Sequence, residues 1–144
     1  MRHLSRQVPA WLILTCFLLL GGHVVAAAQT ARVGREFKVK VGRVVTLDGG
    51  SLRLRFARVT EDSRCPVDVD CVWAGNAEVL LEVSARGGRG RKSLTLNTNA
   101  GGERASEGRY GRYTIRLVDL SPQPRSKRKL PAPQYTATLL VTKE

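Results

Sequence analysis

Ser51-Leu52-Arg53-Leu54-Arg55-Phe56-Ala57-Arg58-Val59-Thr60 alternates apolar and charged side chains with a period of two. On an extended chain Leu52, Leu54 and Phe56 face one side, and Arg53 and Arg55 face the other. That is a strand with one buried and one wetted face. The phase slips after Phe56, where Ala57 and Val59 are apolar and Arg58 is charged. A slip of one residue predicts a β-bulge near Phe56-Ala57.

The same period runs outward in both directions. Upstream, Phe37, Val39 and Val41 alternate with Lys38 and Lys40. Gly42 breaks that run, Val45 and Leu47 resume it, and Asp48-Gly49-Gly50 is a strong turn. Downstream, Ala77, Val79, Leu81 and Val83 alternate with outward Glu78 and Glu82. Arg86-Gly87-Gly88-Arg89-Gly90-Arg91 then forms a turn, and Leu94 and Leu96 mark the returning strand of a hairpin. Residues 97–111 read as a loop rich in Gly and Asn. Tyr113, Ile115 and Leu117 begin another strand, with a second phase slip at Val118 and Leu120. The segment from Ser121 to Pro133 holds four prolines and a basic cluster, and reads as a long surface loop. Tyr135, Ala137, Leu139 and Val141 form the last strand.

No stretch repeats at 3.6 residues. Six or seven strands with Gly- and Pro-rich connections predict an all-β domain over residues 36–144. Uneven connections and phase slips favour an antiparallel β-sandwich over a small closed β-barrel.

The chain ahead of this domain reads as a secretory signal peptide over residues 1–28. Arg2 and Arg6 give a basic start, Trp11 to Leu20 is a short apolar run, and Ala26-Ala27-Ala28 supplies small residues for cleavage. The run is short for a membrane span, which needs about 20 residues. Cys16 lies inside it, after Leu14-Thr15, and lacks the small preceding residue of a lipidation site. Residues 29–35 form a polar, flexible lead-in. Cleavage would leave 116 of the 144 residues, enough for one domain with a modest core. No further apolar segment is long enough to span a bilayer. The product is expected to be exported, either periplasmic or extracellular.

Export sets limits on chemistry. His3 and His23, the only histidines, leave with residues 1–28. The remaining chain then lacks the usual general base and the commonest zinc ligand. Ser-His-Asp and Cys-His mechanisms are excluded, and no nucleophile elbow, P-loop or dinucleotide fingerprint occurs. Glu103 and Glu107 sit in the glycine-rich loop as solvated surface, unlike the cleft pair of a glycosidase. The expectation is a protein that is not an enzyme and carries no cofactor.

Between two strands lies Asp62-Ser63-Arg64-Cys65-Pro66-Val67-Asp68-Val69-Asp70-Cys71-Val72-Trp73-Ala74-Gly75-Asn76-Ala77. In an exported chain Cys65 and Cys71 read as a disulfide. Pro66 favours the bend, and the closed loop is a local clasp contributing about 2 kcal/mol. The spacing is not the C-x-x-C of a redox site. Trp73 is expected to cap one end of the core, and Gly75 to allow the turn into the next strand. Asp62, Pro66, Trp73 and Gly75 thus form the structural core of the motif. The alternative is a calcium-stabilised structural domain, with Glu61, Asp62, Asp68 and Asp70 as oxygen ligands. The spacing departs from an EF-hand loop, and the same carboxylates can instead pair with arginines such as Arg64.

This stretch resembles the D-S-R-C-P-x4-C-x-W-x-G core of a group of small exported bacterial proteins. The likeness is sharp over Asp62 to Ala77 and looser over the strands. It implies a secreted domain built around the clasp and brings no catalytic or binding assignment with it.

Eighteen arginines and six lysines make the chain strongly basic, at +12 overall and +10 without residues 1–28. Arg86, Arg89, Arg91 and Lys92 crowd one turn; Arg125, Lys127, Arg128 and Lys129 crowd the proline-rich loop. Such clusters attract polyanions. Outside the cytoplasm these are anionic envelope lipids or acidic polysaccharide, and loop tips also suit a protein partner. No nucleic acid is expected: the Arg-Gly segment is short, and few aromatics stand among the basic residues. The expected function is an exported binding or structural module of the cell envelope, its basic loops reading an anionic component.

Overall fold

The computed structural model describes residues 29–127 and 134–144. The signal-peptide reading of residues 1–28, and Arg128 and Lys129 of the second basic cluster, lie outside them. Among the described residues nine strands form two sheets. They are β1 (Gln29–Thr30), β2 (Glu36–Lys40), β3 (Val44–Leu47), β4 (Leu52–Asp62), β5 (Ala77–Ala85), β6 (Lys92–Asn97), β7 (Glu107–Tyr110), β8 (Tyr113–Ser121) and β9 (Thr136–Lys143). One sheet has the order β1-β3-β4-β5-β6 and the other β2-β9-β8-β7. All pairings are antiparallel except the two-residue β1–β3 contact. The all-β sandwich is therefore present.

Alternation places the core. Leu52, Leu54 and Phe56 of β4 and Val79, Leu81 and Val83 of β5 are fully buried. They pack with Ile115 of β8 and Leu139 and Val141 of β9 in one apolar cluster. Gly42, at φ +79°, carries the chain from β2 in one sheet to β3 in the other. Left-handed backbone of this kind suits glycine, which has no Cβ to clash.

Both phase slips are bulges. The β4–β5 register shifts between Phe56 and Arg58, and the β8–β9 register shifts between Leu117 and Asp119. A second shift in β4, between Val59 and Glu61, was not anticipated. Bulges bend and twist a strand; here they lead β4 to Asp62, at the end of the sandwich.

Two strands escaped the sequence reading. The lead-in contributes β1, beside β3. The Gly- and Asn-rich loop contributes β7, which pairs with β8 alone in its sheet. Its Glu-Gly-Arg-Tyr sequence has no apolar alternation. The inward positions are Tyr110, partly buried against the core, and Gly108, where an added Cβ would lie 3.2 Å from a Leu94 methyl. Close backbone approach replaces side-chain packing at that point.

Candidate functional site

The sandwich has two chemically different ends. The first is built on the disulfide clasp, where β4 leads into β5. Cys65 and Cys71 are bonded, with Cα atoms 5.9 Å apart. Inside the ring the Val69 N–H donates to the Pro66 carbonyl at 3.3 Å, so Pro66 starts the bend. On either side of the ring the chain pairs with itself: the Ser63 N–H donates to Asn76 O at 2.7 Å and the Cys65 N–H to Ala74 O at 3.2 Å. Gly75 completes this return at φ +67°, and a Cβ there would sit 1.9 Å from the Ser63 carbonyl oxygen. No other residue type fits without moving backbone.

Arg64 anchors the clasp. It is 8% exposed and donates to both Asp62 oxygens, from Nε at 2.8 Å and Nη2 at 2.7 Å. It also donates to the Leu120 carbonyl, and to the Pro122 carbonyl at 2.9 Å. The Tyr135 phenol donates to the same Asp62 carboxylate at 2.9 Å. Burial alone would raise the Asp62 pKa, but the bonds from Arg64 and Tyr135 outweigh it and hold the carboxyl below its ordinary value. Burial, together with the bond to Asp62, pushes the Tyr135 phenol up to about 12.

Trp73 does not cap the core. It is 82% exposed, and neighbouring Val72 is 91% exposed. The backbone return at Ala74-Asn76 turns the two residues before it outward. An apolar residue signals burial by composition, but here the loop's backbone pairing decides its direction.

The four acids considered for calcium are not gathered. Asp62 is held by Arg64 and Tyr135. Asp68 accepts from the Ser126 N–H at 2.8 Å and hydroxyl at 2.7 Å. Those bonds keep its carboxyl below the ordinary value, the hydroxyl bond most strongly. Glu61 and Asp70 are exposed. Among the described residues no three acidic, cysteine or histidine side chains come together as metal ligands.

Asp68 instead moors the proline-rich loop, aided by the Val67 N–H donating to Pro124 O at 3.0 Å. Arg125 and Lys127 therefore ride beside the clasp. The other basic cluster lies at the far end, in the turn from β5 to β6. There Arg86 donates to the Gly49 carbonyl at 3.4 Å, and the Tyr110 phenol to the Arg89 carbonyl at 3.2 Å. Lys92 reaches the Arg109 carbonyl at 3.2 Å. Arg125 and Lys127 thus lie at the opposite end of the sandwich from the cluster in the β5–β6 turn.

Sequence order hides a third grouping. Arg53 and Arg55 of β4 line a depression of about 130 Å³ on the outer face of the five-stranded sheet, together with Arg91 from the turn. Glu82, paired with Arg55 at 3.3 Å, is the one carboxylate in its lining. The signal for Arg53 and Arg55 was their outward phase on one strand. Arg91 joins them only because the turn between β5 and β6 lies at the same end of the sheet as the start of β4.

Among the described residues no helix is long and apolar enough to cross a membrane. Compared with family models, curated proteins and solved structures, the chain shows no match.

Proposed function

We propose that this chain is an exported, non-enzymatic binding module that holds an anionic envelope component at its basic end. The observation that carries the reading is the convergence of Arg53, Arg55 and Arg91 around one depression with a single opposing carboxylate. Guanidinium groups donate in a planar fork that matches phosphate and carboxylate oxygens. Arg86 and Arg89 extend the positive field along the adjoining turn. The closed disulfide suits an oxidising compartment, in line with the export reading of residues 1–28. The ligand chemistry is the phosphate or carboxylate of an envelope lipid or acidic polysaccharide.

The test is binding of the protein to vesicles of anionic phospholipid, to neutral vesicles and to an acidic polysaccharide, at low and high salt. Binding to an anionic probe alone, lost in about 1 M salt where screening acts within about 3 Å, is expected. Arg53→Gln with Arg91→Gln should weaken it about tenfold or more. Anionic binding unchanged in that double variant would refute the site, and equal binding to neutral vesicles would refute the chemistry.

A further inference from the structure

The clasp end carries a feature that the basic end does not explain. Trp73 stands almost free in solvent on a loop closed by a disulfide, anchored by buried Arg64 and turned at an irreplaceable glycine. The backbone that carries this large exposed ring is fixed in place before any ligand arrives.

Trp73 lines a depression of about 350 Å³ with Glu61, Glu78, Asn99 and Arg104. Glu61 and Glu78 stand directly opposite each other across β4 and β5. Like charges in that position are unfavourable, and neither glutamate has an ion-pair partner among the described residues. This is notable in a chain with twice as many basic as acidic residues. Asn99 donates from its amide nitrogen to the Gly75 carbonyl at 3.1 Å. Its amide oxygen makes no hydrogen bond among the described residues. The deeper groups are already satisfied: the Asn76 amide donates to Asn97 Oδ1 at 2.7 Å, and the Ser63 hydroxyl to Asn76 O at 3.0 Å.

A ligand in this depression therefore meets one aromatic face, two carboxylates, one amide oxygen and one guanidinium. A simple cation would meet Arg104, and an anion would meet Glu61 and Glu78. A neutral ring bearing several hydroxyls satisfies all of them. Its hydroxyls donate to the carboxylates and the amide oxygen and accept from Arg104, while its C–H face lies on the indole. A second depression, of about 340 Å³, shares Ala74, Gly75 and Asn99 with the first and continues past Val118 and Asp119. A chain of rings can occupy both.

We infer that the Trp73 depression is a binding site for a neutral oligosaccharide, one pyranose ring stacking on Trp73 with its hydroxyls held by Glu61, Glu78 and Arg104. The site is distinct from the basic end and needs no net charge on its ligand.

The test titrates the full chain with four neutral trisaccharides, built from glucose, N-acetylglucosamine, mannose or galactose, by calorimetry. Tryptophan emission is followed as the difference from a Trp73→Phe variant, which removes the contribution of Trp11. At least one trisaccharide should bind saturably with a Kd of about 1 mM or tighter, with little change in about 1 M salt. Trp73→Ala should weaken binding about tenfold or more while leaving the melting temperature unchanged, because the side chain is exposed. Glu78→Gln should weaken it about threefold or more, and Arg91→Gln should leave it unchanged. Failure of all four sugars to bind would overturn the proposal. So would binding that survives Trp73→Ala intact, or binding abolished by salt and by Arg91→Gln, which would belong to the basic end.

Discussion

Each end of the sandwich is fastened by an aspartate that accepts from a tyrosine phenol and a cation. At the clasp end Asp62 of β4 accepts from Tyr135 and Arg64, with the Arg64 and Asp62 side chains 7% and 10% exposed. At the basic end Asp48 accepts from Tyr113 at 2.5 Å and Lys143 at 2.7 Å, with about a third of the Lys143 and Asp48 side chains exposed. Both fastenings join the five-stranded sheet to the four-stranded one. Arg64 makes five hydrogen bonds through its guanidinium and backbone, two of them to carbonyls of the segment that ends β8. The Lys143 side chain makes one, and also lies 5.9 Å from the Tyr113 ring centroid. The difference follows from side-chain chemistry. A planar guanidinium can be buried when every donor finds an acceptor, whereas a lysine ammonium keeps its water at a surface. The clasp end is thus the rigid end, and the basic end a set of solvated turns.

The sharpest way to break the comparison is to add one methyl group at each end. Gly75→Ala drives a Cβ into the Ser63 carbonyl and holds alanine at φ +67°. It should cost about 3–4 kcal/mol or prevent folding. Gly87→Ala, in the basic turn at φ +74° with nothing within 4 Å, should cost only about 1 kcal/mol. Equal losses in denaturant titrations would show that the clasp is no more constrained than the turn.

Removing the cation is the next largest change. Arg64→Leu leaves Asp62 nearly buried without its partner and frees two backbone carbonyls, so unfolding free energy should fall by about 3 kcal/mol. Lys143→Met should give a much smaller loss, already absent in high salt because the pair is solvent-screened. Cys65→Ser with Cys71→Ser opens a ring of sequence separation 6 and should cost about 2 kcal/mol. Anionic vesicle binding at the basic end should survive that change.

The pH dependence sharpens the same contrast. Asp62 is held below its ordinary value when folded, so the unfolded chain binds its proton more readily. Its contribution is complete above about pH 4 and is lost as pH falls through the folded value. Tyr135 is shifted from 10.0 to about 12. Its contribution is complete below pH 10 and is lost as pH climbs toward 12. Thermal melts should therefore soften on both flanks. Tyr135→Phe should remove the alkaline loss at this end, and a flank unchanged by it would place that titration elsewhere. Smallest of all, Trp73→Ala and Arg89→Gln should each leave stability within about 0.5 kcal/mol, because both side chains are exposed.

Much of the fold was legible because alternation is a local property. Seven of the nine strands follow from residues such as Leu52, Leu54 and Phe56 recurring at every second position, and two bulges follow from slips in that recurrence. Strand β7 was not legible, because Gly108 contributes backbone proximity at one of its two inward positions, which leaves Tyr110 alone and no alternation to read. Asp62 and Gly75 were readable as parts of a structural motif, and Arg64 as a partner for nearby acids. Trp73 misled, since its size and apolarity say nothing about the direction in which a closed loop will point it.

The sequence by itself determined the all-β architecture, two of the three bulge positions, the pairing of Cys65 with Cys71 and the strongly basic character. Each depends on neighbours within a few residues or on composition. Only the tertiary structure decided which end each charge occupies. It set Tyr135 against Asp62 across 73 positions and Tyr113 against Asp48 across 65. It brought Arg91 to Arg53 and Arg55 of β4 and turned Trp73 away from the core. Those outcomes depend on how two sheets stack and where hairpins return, and cross-sheet partners leave no periodic trace along the chain.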